Sequence, residues 1–117
     1  MPVSDCSLFV YETSDHPEGI LHLAREGGIL ISCDSLQNWR EPDRFFSADS
    51  AAKMREIGFI EPANVGPGWR QFCSPEAADF VRLKALAFRH LLSAHGTPLR
   101  DTAHEELAAT FKRLFDV

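Results

Sequence analysis

Residues 28–34 read Gly-Ile-Leu-Ile-Ser-Cys-Asp, an apolar run that ends in a carboxylate. Isoleucine and leucine in succession favour extended backbone, so a strand is predicted at Ile29–Ser32. The preceding Glu26-Gly27-Gly28 has the composition of a hairpin turn, because glycine adopts the positive φ angles that such turns require. The strand is therefore predicted to start from a turn and to stop at Cys33-Asp34.

The sequence on either side of this strand predicts further strands and helices in an order typical of α/β proteins. Further strands are predicted at Ser7–Glu12, Ile20–Leu23 and Leu91–Ser93. Helices are predicted from about Asp49 to Ile57, from Ser74 to about Phe88 and from Thr102 onward. The order of strand, strand, strand, helix, helix, strand, helix in 117 residues indicates a single domain over residues 1–117.

Local signals mark the ends and faces of the later helices. Ser74-Pro75 offers a capping hydroxyl and a proline at the first helical position, and Thr102-Ala103-His104-Glu105 matches the capping box. Residues 58–72, with two prolines and three glycines, are predicted to form a long surface loop. Two stripes at helical spacing are predicted to face the core: Ala77, Val81, Ala85 and Phe88 with Phe80 beside them, and Ala103, Leu107, Phe111, Leu114 and Phe115.

The bulk composition restricts the class of protein and its partners. Hydrophobic residues make up 44% and charged residues 25%, and the net charge is −5. This acidic balance argues against nucleic acid as a partner, because binding to phosphates needs clustered positive charge. The chain has no apolar run of about 18 residues, so no membrane span is predicted. Residues 1–6 lack the features of a signal peptide, and the three cysteines form no C-x-x-C pair, so a reduced cytoplasmic setting is expected.

Three polar residues each follow the end of a predicted strand: His16, Asp34 and His95. Strand ends hold side chains rigidly at one edge of a sheet while leaving them open to solvent. Two imidazoles and a carboxylate suit zinc or another divalent metal. The three residues are 18 and 61 positions apart, so only the fold can bring them together.

The order of these segments resembles the later motifs of the metallo-β-lactamase fold, a group that includes glyoxalase II-like hydrolases. Residues 16–19 (HPEG) resemble the H-x-x-G turn of that family, residues 28–34 its aspartate-ending strand, and residues 91–96 (LLSAHG) its strand-x-x-H-G ending. The resemblance implies that His16 binds a first metal, that Asp34 bridges both metals, and that His95 binds the second. Zinc is the implied metal, with iron and manganese as alternatives.

The hallmark H-x-H-x-D-H motif of the family is missing, since the chain contains no H-x-H. The resemblance therefore covers only the carboxyl-terminal half of the family domain. It implies half of an αββα sandwich: a small mixed sheet covered by helices on one face. An apolar sheet face left wet costs about 25 cal/mol per Å². We therefore expect a homodimer, a separate amino-terminal half or a truncated gene product.

Two function classes follow. The first is a metal-dependent hydrolase, incomplete in this chain, with a metal-activated water held near Asp34. The second is a non-catalytic interaction or ligand-binding remnant of the fold. A serine hydrolase is disfavoured because no G-x-S-x-G motif is present.

Simpler interpretations exist for each residue. His16, Asp34 and His95 could be ordinary turn residues, and Cys33, a nucleophile or ligand candidate, is more commonly a small buried hydrophobe. Trp39, Trp69 and Phe72 either line a substrate entrance or, more commonly, cover a core edge.

Overall fold

The computed structural model describes residues 4–16, 18–41 and 47–117. Pro17 of the predicted HPEG turn lies outside these ranges. So do residues 1–3, which belong to the segment without signal-peptide features. The described elements, in chain order, are β1 (Cys6–Val10), β2 (Gly19–Leu23), β3 (Ile29–Ser32), β4 (Leu36–Gln37), α1 (Ala48–Glu56), β5 (Asn64–Val65), α2 (Pro67–Cys73), α3 (Ala77–Lys84), β6 (His90–Ser93) and α4 (Ala103–Phe115).

Four of the strands form one mixed sheet in the order β1-β2-β3-β6, which confirms the predicted α/β class with a small mixed sheet. The pairs β1/β2 and β2/β3 are antiparallel, whereas β3 and β6 are parallel, with Ser32 opposite Ser93. Parallel neighbours need a long crossover, which here contains α1, α2 and α3. The predicted turn between β2 and β3 is confirmed, since Glu26, Gly27 and Gly28 have φ angles of 55°, 80° and 103°. The strands β4 and β5 pair as a separate two-stranded sheet.

One face of the four-stranded sheet is buried against the helices. Alternate strand residues Phe9, Ile20, Leu30 and Leu91 belong to one core cluster with helical residues. The helical members are Phe80 and Leu83 from α3 and Ala103, Leu107 and Phe111 from α4. Burial of each large apolar side chain contributes about 1.5–3 kcal/mol, so this interface accounts for the stability of the helix layer on the sheet. The predicted apolar stripe of α4 is confirmed.

The opposite face of the sheet presents aliphatic side chains to solvent. Leu8 pairs with Leu21, Leu21 with Ile31 and Ile31 with Leu92, which gives one aliphatic row across all four strands. Leu8 and Leu92 are 55% and 41% exposed, and Val10, on the same face, is 41% exposed. The described part of the chain therefore leaves this face accessible, and we call it the open sheet face.

The prediction of one long loop over residues 58–72 is wrong beyond residue 63. This segment contains β5 and most of α2, with Gly66 at the N-cap and Pro67 at the first helical position. Proline is tolerated there because the first helical amide has no partner within the helix, and its fixed φ suits the helix. The proline that suggested a loop is therefore the start of a helix.

The predicted start of α3 is also wrong, and its predicted core-facing stripe is correct only in part. Ser74 ends α2 in a left-handed conformation with a φ of 47°, so its hydroxyl does not cap α3, whose N-cap is Glu76. The helix ends at Lys84, and its buried residues include Phe80 and Leu83, whereas Val81 is 50% exposed. Of the predicted set, Phe80 and Phe88 are buried, whereas Val81 and Ala85 are exposed.

The capping box at the start of α4 is wrong as well, although the helix is present. Thr102 is the N-cap but makes no side-chain cap hydrogen bond. Its hydroxyl donates instead to the carboxylate of Glu106, one residue beyond the predicted Glu105. The helix is stabilised by its buried apolar stripe rather than by that cap.

Candidate functional site

Asp34 and His95 meet beyond the ends of the parallel strands β3 and β6. Because Ser32 lies opposite Ser93, each functional residue stands two positions past a paired serine. The Oδ1 atom of Asp34 lies 2.7 Å from Nε2 of His95, and the side chains are 56% and 44% exposed. The carboxyl ends of parallel strands meet at one edge of a sheet, which is the physical reason for this approach.

Cys33 adds a third donor to this pair. Its Sγ lies 3.8 Å from Oδ1 of Asp34, and single donor atoms of Cys33, Asp34 and His95 all lie within 4.8 Å of one another. The interpretation of Cys33 as a small buried hydrophobe is wrong, because its side chain is exposed. Partial desolvation, with the nearby charges of Asp34 and Glu18, raises the pKa of the Cys33 thiol. Without a bound cation the thiol therefore stays protonated at neutral pH, which makes it a weak nucleophile.

Glu18 holds the backbone of the turn that carries Cys33 and Asp34. Its Oε1 accepts a hydrogen bond from the Asp34 amide at 2.7 Å, and its Oε2 accepts one from the Ser35 amide at 3.0 Å and one from the Ser35 hydroxyl. Sequence reasoning noted Glu18 only as a variable position of the H-x-x-G turn. No local signal could have identified its role, since its partners lie 16 and 17 residues away.

Asn38 and Gly96 fix the loop that carries His95. Asn38 is fully buried; its Nδ2 donates to the Thr97 carbonyl at 3.1 Å, and its Oδ1 accepts from the Ala63 amide at 3.0 Å. Gly96 has a φ of 93°, and a Cβ atom at this position would lie 2.1 Å from the Asn38 carbonyl oxygen. Only glycine, which has no Cβ atom, allows both the positive φ and the close approach of the Asn38 backbone. The glycine of the H-G ending is therefore required by the fold at this position.

His16 lies at the same edge of the sheet as Asp34 but does not join the donor cluster. The antiparallel register sets the start of β2 beside the end of β3, and Glu18, two residues after His16, contacts Asp34. Within the described residues, the group of donors closer than 4.8 Å contains Cys33, Asp34 and His95 and not His16. A metal-binding role for the exposed His16 therefore stays a prediction.

The other three histidines bind backbone carbonyls. The Nε2 atoms of His22, His90 and His104 lie 2.7, 3.1 and 2.8 Å from the carbonyl oxygens of Ala87, Glu26 and Lys84. These contacts join neighbouring segments of the fold. They give these three histidines a structural role.

A cavity of about 470 Å³ lies beside the cluster. Trp39, Trp69 and Phe72 all line it, so these aromatic side chains stand at a cavity wall, and Trp69 is also part of the core. The complete lining is Asp34, Gln37, Trp39, Met54, Phe59, Ile60, Gly68, Trp69, Phe72 and His95. The ionisable residues Asp34 and His95 therefore face a largely apolar cavity, a common composition for small-molecule sites.

The donor set of the cluster fits a zinc ion. Thiolate, imidazole and carboxylate are the three common protein ligands of zinc, and a three-ligand site leaves a position open for water or substrate. The thiol also makes zinc a better match than manganese, which prefers oxygen ligands. The donors are partly exposed, so small rotations of the side chains can adjust their separations.

Comparison of the chain with family models, curated proteins and solved structures found no match. Among the described residues, every helix is too short or too polar to traverse a bilayer.

Proposed function

We propose that this chain is a metal-dependent hydrolase-like protein with the carboxyl-terminal half of a metallo-β-lactamase fold. The observation that carries the proposal is the 2.7 Å approach of Asp34 and His95, which are 61 residues apart in sequence. The resemblance requires this pair to meet at a common edge, after a strand that ends in aspartate and a strand followed by H-G. An accidental match of short motifs would not predict that contact.

In this proposal Asp34, His95 and Cys33 hold one divalent metal, zinc first, and His16 is a further ligand candidate. Such a metal, when bound, would lower the pKa of a bound water and polarise a carbonyl oxygen. The residues of the chain itself orient the proposed metal ligands. Glu18 holds the Asp34 backbone, and Asn38 and Gly96 hold the His95 loop. The water would be held near Asp34.

We propose that a second sheet covers the open sheet face, and that the missing part of the family ligand set, where present, lies on a separate amino-terminal half. The open sheet face supports this, because its aliphatic row extends across four strands and its members are up to 55% exposed. Sheets packed face to face bury such rows. The covering sheet would come from a second copy of the chain or from a separate amino-terminal half. The cytoplasmic setting belongs to the same proposal and agrees with the three free cysteines.

Metal binding can be measured directly on the purified chain. After equilibration with zinc and removal of the excess, we expect about one zinc per chain by elemental analysis. The Asp34→Ala/His95→Ala double variant should lose it, whereas Asp49→Ala, an exposed carboxylate in α1, should retain it. Zinc retention by the double variant at the level of the parent chain would overturn the site.

Two further variants resolve the ligand set. In the cobalt-substituted protein a thiolate ligand produces a charge-transfer band in the near ultraviolet, which Cys33→Ser should abolish. His16→Ala tests the remaining candidate: unchanged zinc affinity removes His16 from the ligand set.

The completion of the sandwich is tested by light scattering over a range of concentrations. A dimer that dissociates in a Leu92→Ser variant supports self-association through the open sheet face. A well-folded monomer at every concentration excludes the homodimer and leaves the separate half, for which upstream coding sequence with an H-x-H-x-D-H motif is the test.

The alternative is a non-catalytic ligand-binding remnant of the fold. The cavity favours it, since a largely apolar chamber can hold a ligand without a metal. Absence of zinc together with binding of an apolar ligand would select this alternative.

A further inference from the structure

A second cavity, of about 430 Å³, lies on the other face of α2, and we call it the arginine cleft. Trp69 of α2 lines the first cavity, whereas its neighbour Arg70 lines the second. Among the described residues, the charged side chains in the lining of the arginine cleft are Arg70, Arg113 and Glu61. Two guanidinium groups therefore share the cleft with one carboxylate, which gives it a local positive charge on a chain of net charge −5.

Arg70 is held in the cleft by an aromatic ring. Its Cζ atom lies 5.1 Å from the centre of the Phe115 ring, and that ring stacks on the Phe80 ring at 4.1 Å between centres. Phe80 is fully buried, so the core fixes the ring that contacts the guanidinium. Among the described residues Arg70 forms no ion pair. A cation–π contact leaves N–H donors of the guanidinium available to an anion.

Arg113 brings the second guanidinium from the last turn of α4. Its Nη2 atom lies 3.6 Å from Oε2 of Glu61, which is longer than a hydrogen bond, and the two side chains are 59% and 46% exposed. An exposed ion pair of this length contributes little to stability, so an anion can displace Glu61 from Arg113. The exposed side-chain amide of Gln71, which has no hydrogen-bond partner among the described residues, adds a further donor to the lining.

This set of donors fits a phosphate group. Guanidinium groups bind phosphate through paired N–H···O hydrogen bonds, and a phosphate monoester carries a charge of about −1.5 to −2 at pH 7 with three acceptor oxygens. A carboxylate has two oxygens and a single charge, so it can use fewer of the donors. Nucleic acid remains disfavoured, because it needs positive charge along many phosphates and the cleft offers two arginines.

The rest of the lining suits a small apolar group. Ile57, Pro67 and Leu114 belong to it, and Ile57 is 49% exposed. A ligand that covers such side chains removes apolar surface from water, which favours binding. The volume of about 430 Å³ is in the range of small-molecule sites, about 300–1,000 Å³.

We propose that the arginine cleft binds a small phosphate monoester, with the phosphate between Arg70 and Arg113 and the apolar body against Ile57 and Leu114. The inference goes beyond the proposed function, because the cleft shares no residue with the cluster of Cys33, Asp34 and His95. The two sites are therefore tested separately.

Binding is measured by nuclear magnetic resonance titration of the isotope-labelled full chain, in the presence of a chelator. The probes are phenyl phosphate, inorganic phosphate and benzoate. Phenyl phosphate should bind about tenfold more tightly than inorganic phosphate, because its ring covers apolar surface. It should also bind about tenfold more tightly than benzoate, because of its greater charge and third oxygen. Benzoate binding as tight as that of phenyl phosphate would refute the phosphate assignment.

Four variants test the location. Arg70→Gln and Arg113→Gln should each raise the Kd of phenyl phosphate about tenfold without loss of fold, since both side chains are exposed. Glu61→Gln should lower it about threefold, because the carboxylate that repels the phosphate is removed. Arg55→Gln is the matched control: Arg55 is exposed on α1 and does not line the cleft, so the Kd should equal that of the parent chain. Equal Kd values for all three arginine variants would refute the site.

The double variant Asp34→Ala/His95→Ala separates this inference from the proposed function. It should bind phenyl phosphate as tightly as the parent chain does, whether or not the parent chain retains zinc. Loss of phenyl phosphate binding in this variant would place the phosphate at the candidate metal site and overturn the assignment to the arginine cleft.

Discussion

Replacement of Glu18 by glutamine should destabilise the fold through the turn that carries Asp34. The carboxylate of Glu18 accepts from the Asp34 amide at 2.7 Å, the Ser35 amide at 3.0 Å and the Ser35 hydroxyl. Glutamine retains one oxygen and replaces the other with a donor. In either amide orientation at least one backbone amide therefore faces a donor instead of an acceptor.

The magnitude follows from burial. Ser35 has no exposed surface, so its amide cannot turn to water. An unsatisfied buried donor costs about 1–3 kcal/mol, and the remaining hydrogen bonds lose the strengthening provided by a charged acceptor. We expect Glu18→Gln to lower the free energy of unfolding by about 2–4 kcal/mol, measured by urea denaturation followed by circular dichroism.

Glu12→Gln is the control, because Glu12 is on the same segment and its side chain is 71% exposed. It removes the same charge and should change stability by less than about 0.5 kcal/mol. If the metal site is correct, Glu18→Gln also lowers zinc affinity about 10–100-fold, as loss of a group that orients a ligand typically does. Equal stability of the two variants would refute the role of Glu18.

Two other positions give independent tests. Asp79 is fully buried and accepts hydrogen bonds from the amides of Glu12 and Thr13, each at 2.9 Å, so Asp79→Asn should cost about 2–3 kcal/mol in urea denaturation at pH 7. Burial opposes its ionisation, but the hydrogen bonds from Thr13 and the Glu12 amide outweigh it and lower the pKa of Asp79. Its stabilising effect is therefore present above the unfolded pKa of about 3.9 and lost as the pH falls through the folded value, so the difference between parent and variant should shrink below about pH 4. A difference independent of pH would contradict this role. Gly96→Ala should cost about 2–3 kcal/mol, because its Cβ would meet the Asn38 carbonyl at a φ of 93°; a change below about 0.5 kcal/mol would contradict that contact.

The errors in predicting the helix ends share one cause: each concerns a residue type that is common in two different structural roles. Pro67 starts α2 instead of marking a loop, and Ser74 ends that helix instead of capping the next. Thr102 contacts Glu106 instead of Glu105. Each choice depends on the neighbouring element, which local propensity does not contain.

The site was predictable only in part, for a related reason. The positions of Asp34 and His95 just after two strands could be predicted, because the change from an apolar run to polar residues marks a strand end locally. The contribution of Glu18 could not, since its partners lie far away in the chain. For Cys33 and the aromatic residues of the cavity wall the sequence left two interpretations open, because it does not show which side of a turn or helix faces solvent.

Short-range patterns were sufficient to predict the local elements: the turn at residues 26–28, the strand that follows it and the apolar stripe of α4. These depend on backbone preference and on side-chain periodicity, which act over a few residues. The parallel pairing of β6 with β3, which sets Ser93 opposite Ser32, could not be predicted from such patterns and is seen in the folded chain. That register brings Asp34 and His95 to 2.7 Å across 61 residues, because strand pairing and core burial, which act over long distances in the chain, select it among many alternatives.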